Sequence, residues 1–395
     1  MSLLRTDRYS AVHITEIARY GPPAIPMDAK MKERTPSRRR RSKAIDRKLG
    51  IPAGTPIHVG ERRTDRARIS VFEYDASGCD EYSFTTASEW SEHRRARKFL
   101  WLNVHGLHDS ALMTAIGERF GLHPLTLEDV LNTSQRPKLE EYPSYLFLVL
   151  RLLDFDDKAQ AIGSDQLGLV IGPDFVLSFQ EYARGAFDPV RERLRAPGSP
   201  LGERGPDYLA YALLDIAVDR YFLVVDHLAE KAEGLEDAAM LKPTPALLER
   251  INRCKRDTLT VRRAVWPLRE LVGTLQRGDR ANFSAETRLY LRDVQDHSIH
   301  VLESLDGVRD QLGDLLEIYL SSVSNRLNLE VRVLTVLSIL FLPATLIAGI
   351  WGMNFPQMPL IGDNTGFWWV IGMMVTCASV MAALFWRHRL LRQRD

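Results

Sequence analysis

The stretch VLTVLSILFLPATLIAGIWGMNFPQMPLIG, Val333–Gly362, runs for 30 residues without an Asp, Glu, Lys or Arg. About 20 apolar residues are enough to carry a helix across a bilayer core. The stretch therefore holds one membrane span and the start of a loop. A second uncharged run of 23 residues, Asn364 to Trp386, follows the lone Asp363. The sequence predicts a first span over 331–352, a connector over 353–365, a second span over 366–386 and a basic tail over 387–395. The overall composition, 45% hydrophobic and 26% charged, is that of a soluble protein and conceals both spans.

Charge sets the expected orientation. Arg326 and Arg332 precede the first span, Arg387, Arg389, Arg392 and Arg394 follow the second, and the connector has neither Lys nor Arg. By the positive-inside bias both ends face the cytoplasm and the connector faces outward. Residues 1–50 contain no apolar segment of signal-peptide type, which also keeps the N-terminal part in the cytoplasm. The expected location is the inner (cytoplasmic) membrane, as a multi-pass protein in contact with lipid.

Upstream of the first span the helical pattern is long. From Ser284, a suitable N-cap, no proline occurs before Pro343, and Leu302, Leu305, Leu312, Leu316, Val323 and Leu327 recur at helical spacing. Continuous to Ile350, such a helix reaches about 100 Å at about 1.5 Å per residue. A rod of that length cannot cover its own apolar stripe and needs partners. Two further helices are predicted, from Asp207 to about Met240 and from Pro245 to about Leu275, the latter kinked or split at Pro267. Long helices thus occupy 207–330.

Residues 51–206 read as an α/β domain, with short β-branched runs alternating with helical stretches. The candidate strands are Ile69–Tyr74, Phe99–Val104, Tyr145–Leu150, Leu167–Ile171 and Phe175–Phe179, the last two joined through Gly172-Pro173-Asp174 as a hairpin. Residues 1–50 form a basic tail with 13 Lys+Arg against 5 Asp+Glu. It has no interleaved aromatics, so a solvated or headgroup-facing tail is the better reading and no nucleic-acid partner is expected. Cys79, Cys254 and Cys377 are too scattered for a disulfide framework or a zinc site. No nucleophile–base constellation and no phosphate-binding glycine loop is present, so an enzyme and an organic cofactor are not expected.

On the predicted membrane helix, Asn328, Val331, Thr335, Ser338, Leu342, Thr345 and Gly349 follow a three–four spacing and share one face. Small and mildly polar residues there either let helices pack closely in lipid or line a water-filled path. The stripe alone favours packing. The end of the span shifts the balance: at Gly352-Met353-Asn354 the glycine loosens the helix and Pro356 prevents its return. An Asn side chain and freed carbonyls are neutral oxygen acceptors, which suit a cation that keeps its water shell, as Mg2+ does. Helix capping is the plainer explanation for an Asn at this place.

Trp351-Gly352-Met353-Asn354-Phe355 resembles the signature of the CorA family of magnesium/cobalt transporters. His123-Pro124-Leu125-Thr126-Leu127-Glu128-Asp129-Val130, Gln135-Arg136-Pro137-Lys138, Leu177-Ser178-Phe179-Gln180, Asp207-Tyr208-Leu209, Trp266-Pro267-Leu268-Arg269 and Tyr319-Leu320-Ser321-Ser322-Val323-Ser324-Asn325 are similar to family segments in family order, from about Gly50 onward. The resemblance implies an αβα sandwich followed by stalk helices and two C-terminal transmembrane helices, assembled as a funnel-shaped homopentamer. It implies a pore lined by Asn328, Val331, Leu334, Leu342, Thr345 and Gly349, with Gly352, Met353 and Asn354 as the selectivity loop. It also implies that Mg2+ is both cargo and regulator. Asp129 and Asp293 match the family's regulatory metal pair, with Glu128, beside Asp129 at a helix start, and Asp215 as further ligands. Val331 and Leu342 stand where the family often has Met, and the connector carries only Asp363. The implied activity is passive, potential-driven influx of hydrated Mg2+, with Co2+ and Ni2+ as further cargo. Two rival readings are a zinc-type CorA relative, proton-coupled or not, and a non-transporting membrane scaffold.

Overall fold

A computed structural model describes residues 50–60, 62–156, 161–183, 185–241, 243–277, 283–353 and 365–392. All elements below belong to the unit Ala53–Asp395.

Seven strands form one sheet: β1 (Arg68–Asp75), β2 (Gly78–Phe84), β3 (Phe99–His105), β4 (Lys138–Tyr142), β5 (Tyr145–Asp156), β6 (Ala161–Ile171) and β7 (Phe175–Gln180). Their order is β2-β1-β3-β7-β6-β5-β4. Among the described strands the parallel pair is β3 and β7, with Asn103 opposite Ser178 and His105 opposite Gln180. The expected hairpin is present: β6 and β7 are antiparallel, and Gly172 N–H donates to Phe175 O at 2.9 Å. The two edge strands, β2 and β4, went unpredicted. Their sequences, GCDEYSF and KLEEY, are charged and only half covered, which is how natural sheets protect an edge.

Side chains alternate along each strand into two cores. Leu146, Leu148, Leu150 and Leu152 of β5 face one side, while Tyr145, Phe147 and Val149 face the other. The second side is closed by α1 (Ala87–Glu92), α2 (Ser110–Phe120) and α3 (Pro124–Leu131), through Trp90, Leu112, Met113, Ile116, Leu127 and Val130. The first is closed by α4 (Asp188–Arg195), α5 (Pro200–Arg204) and the long helices α6 (Pro206–Leu241), α7 (Pro245–Arg277) and α8 (Ala285–Trp351). The layers are αβα. Because both faces are covered, β3 is buried at every position and reads as one apolar run broken only by Asn103 and His105.

The 67 residues of α8 are uninterrupted. Ser284 caps it, its Oγ accepting from Thr287 N at 3.1 Å. Pro267 does not split α7: Ala264, Val265, Leu268 and Leu271 around it are buried in the core shared with α6 and α8. Pro343 likewise lies inside α8. The buried stripe of α8, from Thr287 and Leu291 to Leu315, ends at Tyr319. The remaining 32 residues extend about 48 Å beyond the core at about 1.5 Å each. α8 also packs against α9 (Gly366–Arg392), and among the described residues α8 and α9 are the two helices long and apolar enough to cross a membrane.

Candidate functional site: an exposed helix face and an acidic cluster

Within the apolar part of α8 the half-buried residues are Val336, Ile339, Leu340, Pro343, Ala344, Ile347 and Trp351. Their three–four spacing defines one face. The matching half-buried set on α9 is Val370, Ile371, Met374, Cys377, Ala378 and Met381. This is the seam between the two helices. Asn328, Val331, Thr335, Ser338, Leu342, Thr345 and Gly349 all lie off that seam and are exposed, Val331 at 60% and Leu342 at 71%. Leu334, also exposed at 64%, flanks the same face. The stripe is therefore not used for packing within the chain.

The hydroxyls on this face have a defined polarity. Thr335 Oγ1 donates to Val331 O at 2.8 Å and Thr345 Oγ1 to Phe341 O at 2.9 Å. With the proton committed to the helix, each threonine presents lone pairs outward. At Gly349 the side chain is absent and nothing lies within 4 Å of where a Cβ would stand, so backbone is open on the stripe. The helix ends at Trp351: Gly352 N–H donates to Ala348 O at 2.9 Å and Met353 N–H to Ile350 O at 3.2 Å, a tightened last turn. A Cβ on Gly352 would stand 3.0 Å from Ala348 O, a close approach that favours glycine there. Met353 is exposed; Asn354 lies outside the described residues, as does Asp363.

The four regulatory candidates fall in two places. Asp215 on α6 and Asp293 on α8 share one neighbourhood, together with Asp219 one turn after Asp215 and His297 one turn after Asp293. Ligand atoms of Asp215, Asp219 and His297 lie within 4.8 Å of one another, and His297 Nε2 is 3.8 Å from Asp293 Oδ1. Burial first, and then the negative charges of Asp219 and Asp293, push the Asp215 carboxyl up to about 6 against the opposing charges of His297 and Arg193. Two carboxylates and an imidazole form a donor set for a divalent cation. Asp219 and His297 were missed in the sequence, although an Asp-x-x-x-Asp and an Asp-x-x-x-His, each spanning one helical turn, could have flagged them.

Glu128 and Asp129 belong to α3, on the opposite face of the sheet. They are not at a helix start as expected: α3 begins at Pro124 behind its N-cap His123, and the carbonyls of Glu128 and Asp129 accept from the C-cap Asn132. Glu128 Oε2 accepts Gly54 N–H at 2.7 Å. Asp129 accepts from Gln135 Nε2 through Oδ1 and from Lys138 Nζ at 2.5 Å through Oδ2.

A sequence profile described as CorA-like Mg2+ transporter protein matches residues 96–389. The cobalt/magnesium transport protein CorA of Thermotoga maritima is 36% identical over 349 residues, 88% of this chain and 99% of its own length. The chain belongs to the CorA family. A CorA magnesium transporter from Methanocaldococcus jannaschii has the same fold, with a TM-score of 0.71 at 19% identity over 81% of this chain and 97% of its own. Family membership makes the chain a membrane protein and a divalent-cation transporter. It leaves cargo choice open, because a zinc transport protein, ZntB of Yersinia pseudotuberculosis, is also similar, 22% identical over 65% of this chain and 76% of its own.

Proposed function

We propose that this CorA-family chain assembles as a homopentamer in the cytoplasmic membrane, with both termini inside, and passes hydrated Mg2+ inward through a channel. The exposed stripe from Asn328 to Gly349 carries this reading: it lies off the α9 seam, so copies of α8 can place it around a common axis. The threonine lone pairs face outward on it, and a hydrated cation presents only O–H donors, so Thr345 and, beyond it, Gly352, Met353 and Asn354 meet its water shell with acceptors. Val331, Leu334 and Leu342 supply the apolar constriction that closes the path by dewetting. No ATP is needed, since the membrane potential drives a divalent cation inward by about 4.6 kcal/mol per 100 mV. Asp215 and Asp293 of one subunit, with Glu128 and Asp129 of a neighbour, hold regulatory Mg2+ when internal Mg2+ is high and keep the path shut. When it falls, unscreened carboxylates repel and the subunits loosen.

Flux into proteoliposomes tests the proposal. Mg2+ and Co2+ enter under an inside-negative potential without a pH gradient, and Asn354→Ala abolishes selective Mg2+ entry. Zn2+ entry that needs a proton gradient, with no Mg2+ entry, would replace this reading by the zinc-type one. Absence of any cation flux would leave a scaffold.

A further inference from the structure

Both carboxylate oxygens of Asp129 are already taken within the chain, Oδ1 by Gln135 and Oδ2 by Lys138. Lys138 Nζ also holds Glu140 Oε1 at 2.6 Å, and Glu140 Oε2 in turn accepts from Tyr142 OH at 3.1 Å. The ammonium lies 5.9 Å from the Phe147 ring centroid and is partly screened from solvent, as is Asp129. The Lys138 ammonium sits where a metal ion would bind Asp129.

We propose that Lys138 is a built-in competitor of Mg2+ at Asp129, and that its displacement sets the Mg2+ concentration at which the channel closes. This rests on the reading of Asp129 as part of the Mg2+ sensor. The physical argument is an exchange. A cation that ligates Asp129 must evict an ammonium that is already paired with two carboxylates in a partly dry setting, and the eviction cost is subtracted from metal affinity. Among the described residues, the groups that oppose the negative charge around Asp215 are Arg193 and His297, neither of them a lysine. The two halves of the sensor are thus unequal: one is open to a cation and the other is held closed by the chain's own charge. A weak regulatory site results, as sensing of an abundant cation requires. An ammonium has three donors and no fixed geometry, so it releases one carboxylate while keeping the other. Glu140 gives the evicted Lys138 somewhere to stay.

The test uses the full-length chain in detergent or nanodiscs, with MgCl2 as the probe. The readout is the Mg2+ midpoint for protection from limited proteolysis, together with the midpoint for closing flux. Lys138→Gln lowers both midpoints, roughly tenfold, and Lys138→Arg, which keeps the charge, stays within about twofold of the parent. Lys138→Met keeps the alkyl stem over Phe147 and serves if glutamine lowers the metal-free melting temperature. Asp129→Asn raises the midpoint, and adding Lys138→Gln to it changes nothing further. Midpoints unmoved or raised in both Lys138→Gln and Lys138→Met, with Asp129→Asn shifted, overturn the competitor while leaving the sensor. An unmoved midpoint in Asp129→Asn overturns the sensor reading and the competitor with it.

Discussion

The carboxylate of Asp207, at the first turn of α6, accepts the backbone N–H of Ser284, the N-cap of α8, at 3.0 Å. The same Oδ2 takes the Thr287 hydroxyl at 2.7 Å. One side chain thus satisfies donors at the start of a helix 67 residues long and ties that start to another helix.

Loss of this tie is measurable. Asp207→Ala leaves the Ser284 amide and the Thr287 hydroxyl short of an acceptor, and Thr287 is almost wholly buried. The expected cost is about 1–2 kcal/mol. Thr287→Val costs less on its own. In the double variant the two losses add to less than their sum, because they share one hydrogen bond. Thermal melts of the four proteins in one detergent read the coupling; full additivity would mean that the bond carries no energy.

The two faces of α8 should respond oppositely to substitution. Thr345→Val is close to isosteric and removes a hydroxyl that the helix does not need, so melting stays within about 0.5 kcal/mol while Mg2+ flux falls. Ala344 is half-buried on the α9 seam. Ala344→Leu forces extra methylenes into that seam and costs about 1–3 kcal/mol. Unchanged flux in Thr345→Val would show that the exposed stripe does not form the ion path.

Much of this was readable because the signals were long and regular. The helix from Ser284 through Ile350 announces itself by an N-cap, by apolar residues at helical spacing and by a charge-free end, and packing with α6 and α7 only reinforces it. β3 and β5 were visible as nearly continuous apolar runs because helices cover both faces of the sheet. The edge strands were not, since sequences such as KLEEY serve equally well as a helix turn and only pairing with β5 decides for strand. At the candidate sites the stripe of α8 came from spacing alone. Asp219 and His297 were hidden because a single acid or His on a charged helix face is ordinary, and it takes the approach of α6 to α8 to make a cluster. Lys138 was quoted as part of a family segment, but nothing in its neighbours along the chain says that Asp129 is its partner, nine residues away across the start of β4.

Asp215 makes stability depend on pH in a direction opposite to that of most carboxylates. Its folded pKa, about 6, stands above the ordinary value of about 3.9 because burial and the facing charges of Asp219 and Asp293 disfavour ionisation, His297 and Arg193 compensating only in part. A raised carboxyl favours the folded chain while it is protonated. That contribution is complete below about pH 4, shrinks as pH climbs from 4 to 6, and is gone above. Asp215→Asn has no such loss. In chelator, where no cation competes, the variant should match the parent near pH 4 and exceed it by about 1–2 kcal/mol at pH 7, after allowance for solvent screening of a half-buried group. Urea or thermal unfolding of both proteins at pH 4, 5, 6 and 7 reads the difference. Parallel curves for the two proteins would mean that the carboxylate is not strained in the metal-free fold. A widening gap would show that the cluster stores repulsion at neutral pH, which is the state a divalent cation relieves.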